Sequence, residues 1–212
     1  LGVDMIGFVF CADSERYVSM VSSNAGIIPD YAYGRQNGDE APACGAVQES
    51  KPHRVGVFVD DMPQNIVTRI YNYNLDYVQL HGSETAVMID NLRRTVDPDI
   101  RPGLKIIKAL SIRSEQDVKR WREYEGHADM LLFDTKGCKA GGNGEHFDWT
   151  LLDVYHGNIP FLLSGGISVD DVDSIRAIRH PMFAGVDLNS RFEVRPGLKD
   201  VALLREFIRK LE

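Results

Sequence analysis

Short apolar runs of strand length alternate along this chain with longer segments in which apolar residues recur every three or four positions. The apolar runs are residues 5–10, 55–59, 77–80, 105–109, 130–133, 161–163 and 184–186. The segments of helical period are residues 63–73, 84–94, 115–124, 149–155, 169–178 and 201–211. Strands that are apolar on both faces are typical of parallel sheets covered by helices. The pattern therefore predicts an α/β protein built from repeated βα units.

Two consecutive turns near the end of this repeat are rich in small residues. The sixth run ends in PFLLSGGIS, which contains Gly165 and Gly166, and the seventh in FAGVDLNS, which contains Asn189 and Ser190. Such turns leave backbone N–H groups accessible where a helix begins and its dipole favours an anion. In (β/α)8 barrels the last two strand-to-helix turns bind the substrate phosphate. We therefore predict a (β/α)8 TIM barrel with a phosphate site at these two turns. The alternative for the glycine pair is a turn that binds no ligand.

The length of the chain bounds the domain organisation. A chain of 212 residues with 43% apolar content can form one barrel domain, residues 1–212. Seven apolar runs leave a (β/α)8 barrel one unit short, and an open barrel exposes two strand edges and its interior. We therefore expect that the N-terminal βα unit is missing from this chain. Residues 26–52 are rich in Gly, Pro, Asn and Asp without any period, which predicts a flexible surface insertion.

The charge, the apolar runs and the cysteines argue against several kinds of partner and site. The formal net charge is -7 at pH 7, so no basic surface is expected to bind nucleic acid. Neither a long apolar run nor a signal peptide occurs, which predicts a cytoplasmic protein without a membrane partner. The cysteines Cys11, Cys44 and Cys138 are odd in number and widely spaced. We interpret them as thiols, and no local spacing of His, Cys or Asp indicates a metal site.

Two polar residues end predicted strands on one expected edge of the sheet. His81 follows the run 77–80 on the same face as Gln79, and Asp134 follows the run 130–133. The carboxyl ends of barrel strands are where catalytic groups lie, so a proton-transferring acid is predicted at Asp134. The alternatives are a loop or helix cap for Asp134 and a structural loop residue for His81.

Arg16 and a glycine-rich loop complete the set of candidates. Arg16 lies in SERYVS just after the run 5–10, where its guanidinium can bind a carboxylate or phosphate, or form a salt bridge at the rim. Gly142 lies in GGNG, which can pass its backbone close over a ligand.

Seven segments follow one another in a distinctive order: IGFVF(x5)RYVS, VGVFVD, DYVQLHGSE, IIKAL, LLFDTK(x4)GGNGEHFDW, PFLLSGGI and GVDLNSRFEVRPGLKD. In this order they closely resemble the phosphoribosylanthranilate isomerases of tryptophan biosynthesis, over nearly the whole chain. The resemblance implies a (β/α)8 barrel that needs no metal or organic cofactor. It also implies an isomerase that converts N-(5-phosphoribosyl)anthranilate to 1-(2-carboxyphenylamino)-1-deoxyribulose 5-phosphate by an Amadori rearrangement.

The resemblance further implies roles for single residues. Asp134 is then the acid that protonates the furanose ring oxygen, and His81 contacts the substrate beside it. Arg16 holds the anthranilate carboxylate, and the loop that contains Gly142 folds over the ligand. The phosphate is held by Gly165, Gly166, Asn189 and Ser190.

This chain departs from the family in one catalytic feature. The family's general base is a cysteine in a Lys-apolar-Cys-Gly motif at the end of the first strand, and no such motif occurs here. We expect this cysteine in the missing first unit, with Cys11 as the alternative base. Smaller departures are Asn189, where Ser is usual, and Arg191-Phe192, where a Gly-apolar pair is usual. Both are expected to reshape the rim of the pocket.

Two other functions share part of the pattern. An enzyme like indole-3-glycerol-phosphate synthase has the same phosphate turns, although the VQLHG and GEHFDW segments argue against it. A non-catalytic phosphosugar-binding barrel would keep the turns alone. In each case the expected partner is a small phosphorylated molecule, bound by a monomer or homodimer.

Overall fold

The computed structural model of the chain describes residues 2–19, 51–135 and 148–211. Seven strands in these ranges form one sheet in which each strand pairs in parallel with the next along the chain. They are β1 (Met5–Val9), β2 (His53–Phe58), β3 (Tyr77–Leu80), β4 (Lys105–Ile112), β5 (Met130–Thr135), β6 (Phe161–Ser164) and β7 (Phe183–Val186). Each predicted apolar run is therefore a strand, and the α/β class is confirmed.

Helical segments connect most of these strands, as predicted, although several are shorter or tighter than an α-helix. The α-helices are α1 (Pro63–Tyr73), α2 (Ala86–Val96), α3 (Glu115–Lys119), α4 (Val172–Ala177) and α5 (Val201–Leu211). Turns of 3-10 helix cover Arg120–Tyr124, Trp149–Val154, Val169–Asp171 and Ser190–Phe192. These connections are only one or two turns long, a length at which 3-10 geometry is common.

Two helical segments begin with reciprocal capping. Ser114 and Asp117 form a capping box before α3, and Ser168 and Asp171 form another before the segment that leads into α4. Each box satisfies backbone N–H groups that have no partner within the helix. The second box fixes where the chain turns after β6, next to the predicted phosphate turn.

The two faces of the sheet bury different clusters of apolar residues. Alternate residues of a strand point to opposite faces, so Ile106 and Ile107 on β4 belong to different clusters. Ile106 packs in the large cluster between the sheet and the helices, whereas Ile107 packs with Val55 and Leu132 in a small cluster on the other face. This arrangement, with helices outside and a small apolar interior, is that of a barrel-type βα fold.

A small antiparallel hairpin follows β7. Its strands are β8 (Glu193–Arg195) and β9 (Leu198–Lys199), and α5 begins just after it. Of the predicted insertion, residues 26–50 lie outside the described residues, and its role stays a prediction. None of the helices in the described ranges has the length and apolar content needed to cross a membrane.

Candidate active site

The carboxyl ends of β3 and β5 bring two predicted residues into direct contact. Asp134 lies near the end of β5, where it pairs in register with Ser111 of β4 and Ser164 of β6. His81 follows β3, and its backbone N–H donates to the carbonyl of Phe58 on β2 at 2.8 Å. Because the strands are parallel, their carboxyl ends lie at one edge of the sheet. His81 and Asp134 meet there although 53 positions separate them in the chain.

A short chain of hydrogen bonds orients the His81 ring. Nε2 lies 3.3 Å from Oδ2 of Asp134, and Nδ1 lies 3.1 Å from Nε2 of Gln79. An amide nitrogen can only donate, so Nδ1 accepts and the proton of the neutral ring sits on Nε2. His81 therefore donates to the Asp134 carboxylate. Gln79 is buried, whereas the side chains of His81 and Asp134 keep 26% and 22% of their surface exposed, which leaves both within reach of a ligand.

A second aspartate, Asp187, ends β7 in the same region, and the sequence interpretation did not single it out. The hydroxyl of Ser164 donates to Oδ2 of Asp187 at 3.2 Å. The residue keeps some exposed surface at the strand ends, but protein surrounds its carboxyl, and this desolvation raises the pKa of Asp187. The negative charge of Asp134 raises this pKa further, while Lys199 and Ser164 oppose the shift. The signal was present in the sequence, since the apolar run AGV ends in Asp187 as LLF ends in Asp134.

Arg16 is held by a carboxylate from the hairpin after β7. Its Nε lies 3.0 Å from Oε1 and 2.9 Å from Oε2 of Glu193, and its Nη2 lies 2.5 Å from Oε2. The side chain of Glu193 is only 3% exposed. Burial alone would raise the pKa of Glu193, but the hydrogen bonds from Arg16 and Lys199 hold it below its ordinary value. The salt bridge predicted as one alternative for Arg16 is thus present, and it uses one edge of the guanidinium.

The two predicted phosphate turns differ in construction. Gly165 and Gly166 have φ angles of 93° and 69°, in the left-handed region that glycine adopts without strain. A Cβ on Gly165 would lie 2.7 Å from the backbone nitrogen of Thr135, so this glycine also lets the turn approach the end of β5. In the second turn Oδ1 of Asn189 accepts from Nζ of Lys199 at 3.0 Å. The amide nitrogen of Asn189 carries two N–H donors, and phosphate oxygens accept hydrogen bonds from such donors.

Behind His81 lies a buried ion pair between Lys108 of β4 and Glu84. Nζ of Lys108 is 2.9 Å from Oε2 of Glu84 and also donates to the carbonyls of Leu80 and Gly82. The two side chains are 1% and 3% exposed. Glu84 in turn accepts from the backbone N–H groups of Asp60 and Gly82. This cluster of charges and backbone groups fixes the turn that carries His81.

The remaining candidates are less constrained by the structure. Gly142 lies outside the described residues, as do Cys44 and Cys138. Cys11 lies in the loop after β1, partly buried and without a disulfide bond. Across residues 2–19, 51–135 and 148–211, no group of three or more His, Cys, Asp or Glu side chains is arranged to hold a metal ion.

Comparison with known proteins identifies the family to which this chain belongs. The family model of N-(5'-phosphoribosyl)anthranilate (PRA) isomerase matches residues 14–210. The chain belongs to the phosphoribosylanthranilate isomerase family. N-(5'-phosphoribosyl)anthranilate isomerase of Parabacteroides distasonis is 39% identical over 211 residues, which span 100% of this chain and 85% of that protein. The enzyme of the same name from Phocaeicola vulgatus is 36% identical, over 100% of this chain and 88% of its own length.

Solved structures of the isomerase family have the same fold. Phosphoribosyl anthranilate isomerase from Thermus thermophilus superposes with a TM-score of 0.73 at 25% identity, over 99% of this chain and 88% of that one. A second isomerase, in complex with reduced 1-(o-carboxyphenylamino)-1-deoxyribulose 5-phosphate, gives a TM-score of 0.66 at 29% identity, over 98% and 87% of the two chains. Family and fold therefore agree with the resemblance carried by the sequence motifs.

Proposed function

We propose that this protein converts N-(5-phosphoribosyl)anthranilate to 1-(2-carboxyphenylamino)-1-deoxyribulose 5-phosphate, in tryptophan biosynthesis. The contact between His81 and Asp134 supports this activity most directly, because it combines a carboxyl and an adjacent N–H donor at the edge of the sheet where β6 and β7 also end. The match to the isomerase family over residues 14–210 supports the choice of substrate.

The first chemical step is acid catalysis by Asp134. Its carboxyl proton passes to the furanose ring oxygen, the bond from that oxygen to C1 breaks, and the anilino nitrogen forms a Schiff base with C1. Asp134 is left as a carboxylate, which accepts the Nε2–H of His81 at the 3.3 Å contact. A charge-assisted hydrogen bond of this kind contributes about 1.5–3 kcal/mol, so His81 favours the proton transfer.

The later steps need a base and a firm hold on both ends of the substrate. Loss of the C2 proton converts the Schiff base to an enolamine, which tautomerises to the ketone. The expected base is a cysteine at the end of a first strand outside the described residues, and Cys11 is the alternative among the described residues. Arg16 binds the anthranilate carboxylate, and Gly165, Gly166, Asn189 and Ser190 bind the phosphate. Holding both ends keeps C1 and C2 in place while they react.

Product analysis tests the activity. The natural protein is incubated with N-(5-phosphoribosyl)anthranilate, and we expect the carboxyphenylamino ketone without added metal or cofactor. A phosphosugar-binding barrel would bind inorganic phosphate and leave the substrate unchanged. An enzyme like indole-3-glycerol-phosphate synthase would instead act on the ketone. Either result would contradict the proposal.

A pair of glycine variants tests the phosphate turn. Gly166→Val introduces a side chain at a φ of 69°, so we expect weaker binding of inorganic phosphate and a raised KM together. Gly103→Val is the matched control, because Gly103 has a φ of 72° and nothing within 4 Å of an added Cβ. If phosphate affinity falls equally in both variants, the phosphate site lies elsewhere.

We also propose a monomer or homodimer in the cytoplasm that binds neither nucleic acid nor membrane. The net charge of -7 supports the absence of a nucleic-acid surface. One structural relative, from Thermotoga maritima, is described as a dimeric phosphoribosylanthranilate isomerase from which monomers were generated. Sedimentation of the purified protein measures its oligomeric state, and sedimentation with added DNA tests whether it binds nucleic acid.

A further inference from the structure

Glu193 links the two elements to which the proposed function assigns the ends of the substrate, Arg16 directly and the turn at Asn189 through Lys199. On one side it holds Arg16, 177 positions away in the chain, through three contacts of 2.5 to 3.0 Å. On the other side it accepts from Nζ of Lys199 at 3.2 Å. Lys199 in turn donates to the carbonyl of Leu188 at 2.9 Å and to Oδ1 of Asn189 at 3.0 Å, so it holds the turn after β7.

The hydrogen-bonding capacity of this group is used within the protein. An ammonium has three donors, and Lys199 has three acceptors, all between positions 188 and 193. Both carboxylate oxygens of Glu193 accept from Arg16 or Lys199, and Oε1 also accepts the backbone N–H of Gly197 at 3.3 Å. Glu193 is therefore built to hold other residues rather than to touch a ligand. Its single negative charge also lies between two cations that would otherwise repel each other.

We propose that Glu193 is a positioning residue that couples the anthranilate end of the site to the phosphate end, through Arg16 on one side and Lys199 and Asn189 on the other. A ligand that orders Arg16 then orders Glu193, Lys199 and the turn at Asn189, and the second ligand meets a site that is already arranged. Coupling of this kind is reciprocal, so phosphate and anthranilate each tighten the binding of the other by the same factor. The inference rests on the proposed function, because that function assigns the two ends.

Calorimetry with two fragments of the substrate measures this coupling in the natural protein. Anthranilate is titrated with and without saturating inorganic phosphate, and phosphate with and without anthranilate. We expect each fragment to tighten the other by about fivefold, the lower end of typical coupling between sites. In Glu193→Gln, which keeps the shape of the side chain and removes its charge, we expect both ratios to fall to about one and KM to rise more than kcat falls.

Two further variants separate positioning from a general loss of stability. Lys199→Met leaves the pair of Arg16 and Glu193 intact, so we expect the coupling to disappear while the affinity for anthranilate alone stays within about twofold of the natural value. Glu206→Gln is the matched control, because Glu206 pairs with Lys210 at 2.7 Å on the exposed face of α5. The coupling in Glu206→Gln should equal that of the natural protein. If Glu193→Gln fails to fold, Lys199→Met decides by itself.

Coupling that is absent from the natural protein, or unchanged in Glu193→Gln or Lys199→Met, would overturn the inference. Turnover of N-(5-phosphoribosyl)anthranilate is measured on the same samples. If the natural protein is active but shows no coupling, only the proposed role of Glu193 is refuted. If the natural protein is inactive, the proposed function itself is refuted.

Discussion

Two aspartates, Asp134 and Asp187, end strands on either side of β6, and Ser164 lies between them. Ser164 pairs in register with Asp134 and donates its hydroxyl to Asp187. Asp134 faces a histidine N–H, whereas Asp187 faces a hydroxyl and lies in protein that desolvates its carboxyl. The same residue type at equivalent strand ends therefore has two environments. In general, a neighbouring N–H donor stabilises a carboxylate anion, while desolvation favours the neutral carboxyl.

The largest expected effect follows from removing the transferable proton of Asp134. Asp134→Asn keeps the size of the side chain but cannot protonate the ring oxygen, so we expect kcat to fall by about 10² to 10⁴ while phosphate still binds. Steady-state kinetics and phosphate calorimetry measure this. Asp90→Asn is the control, since Asp90 forms another aspartate–histidine pair, with His127, at 2.8 Å. An Asp134→Asn enzyme with unchanged kcat would remove Asp134 from the reaction.

Loss of the donor beside Asp134 should have the next largest effect. His81→Leu removes the N–H that stabilises the carboxylate after proton transfer, and a hydrogen bond worth about 1.5–3 kcal/mol corresponds to about 10- to 150-fold in kcat. His127→Leu is the matched control and should leave kcat unchanged. Equal losses in the two variants would point to a general effect on stability rather than to the contact of His81 with Asp134.

Asp187→Asn tests the desolvated environment of Asp187. We expect a loss of kcat within about tenfold, smaller than the losses in the Asp134 and His81 variants. Because desolvation raises the folded-state pKa of Asp187, the carboxyl costs stability at pH values above that pKa and less at lower pH. Asn has no such cost, so the variant should gain stability relative to the natural protein near pH 7, and the gain should shrink towards pH 4. Urea unfolding at several pH values measures the difference. A gain that grows as the pH falls would contradict the assignment.

The smallest expected effect concerns Gln79, which acts on Asp134 only through His81. Gln79→Met removes the donor to Nδ1, so the ring can also adopt the tautomer with its proton on Nδ1. We expect kcat to fall by about threefold, because part of the population loses the N–H that faces Asp134. Nitrogen chemical shifts of His81 report the tautomer directly. A single tautomer with the proton on Nε2 in the variant would show that Asp134 alone sets it.

The strands of the main sheet, and the edge at which His81 and Asp134 lie, could be predicted because both depend on local pattern. Apolar runs marked all seven strands of the main sheet, and a polar residue that ends one of them must lie at the edge where the others end. Asp187 carries the same signal and was overlooked beside the small residues that follow it. Its raised pKa, by contrast, depends on how closely protein surrounds the carboxyl, which no local pattern contains.

The pair of Arg16 and Glu193 shows what the sequence could not provide. The two residues are 177 positions apart, Arg16 in the loop after β1 and Glu193 at the start of β8, and no local pattern at either residue indicates its partner. Such contacts depend on the register of the whole sheet. The 3-10 turns at Trp149–Val154 and Val169–Asp171 were likewise predicted only as helical, because apolar spacing does not distinguish a tight short helix from an α-helix.

The buried pair of Lys108 and Glu84 has a consequence for how the molecule opens. Turn amides ordinarily exchange with solvent through small local fluctuations, at little cost in free energy. The amides of Gly82 and Asp60 instead donate to a carboxylate that is itself bound to a buried ammonium. To release them, an opening has to separate two charges inside the layer between sheet and helices. The turn behind His81 should therefore exchange its hydrogens as slowly as the strands, and it would open only when the surrounding βα units unfold.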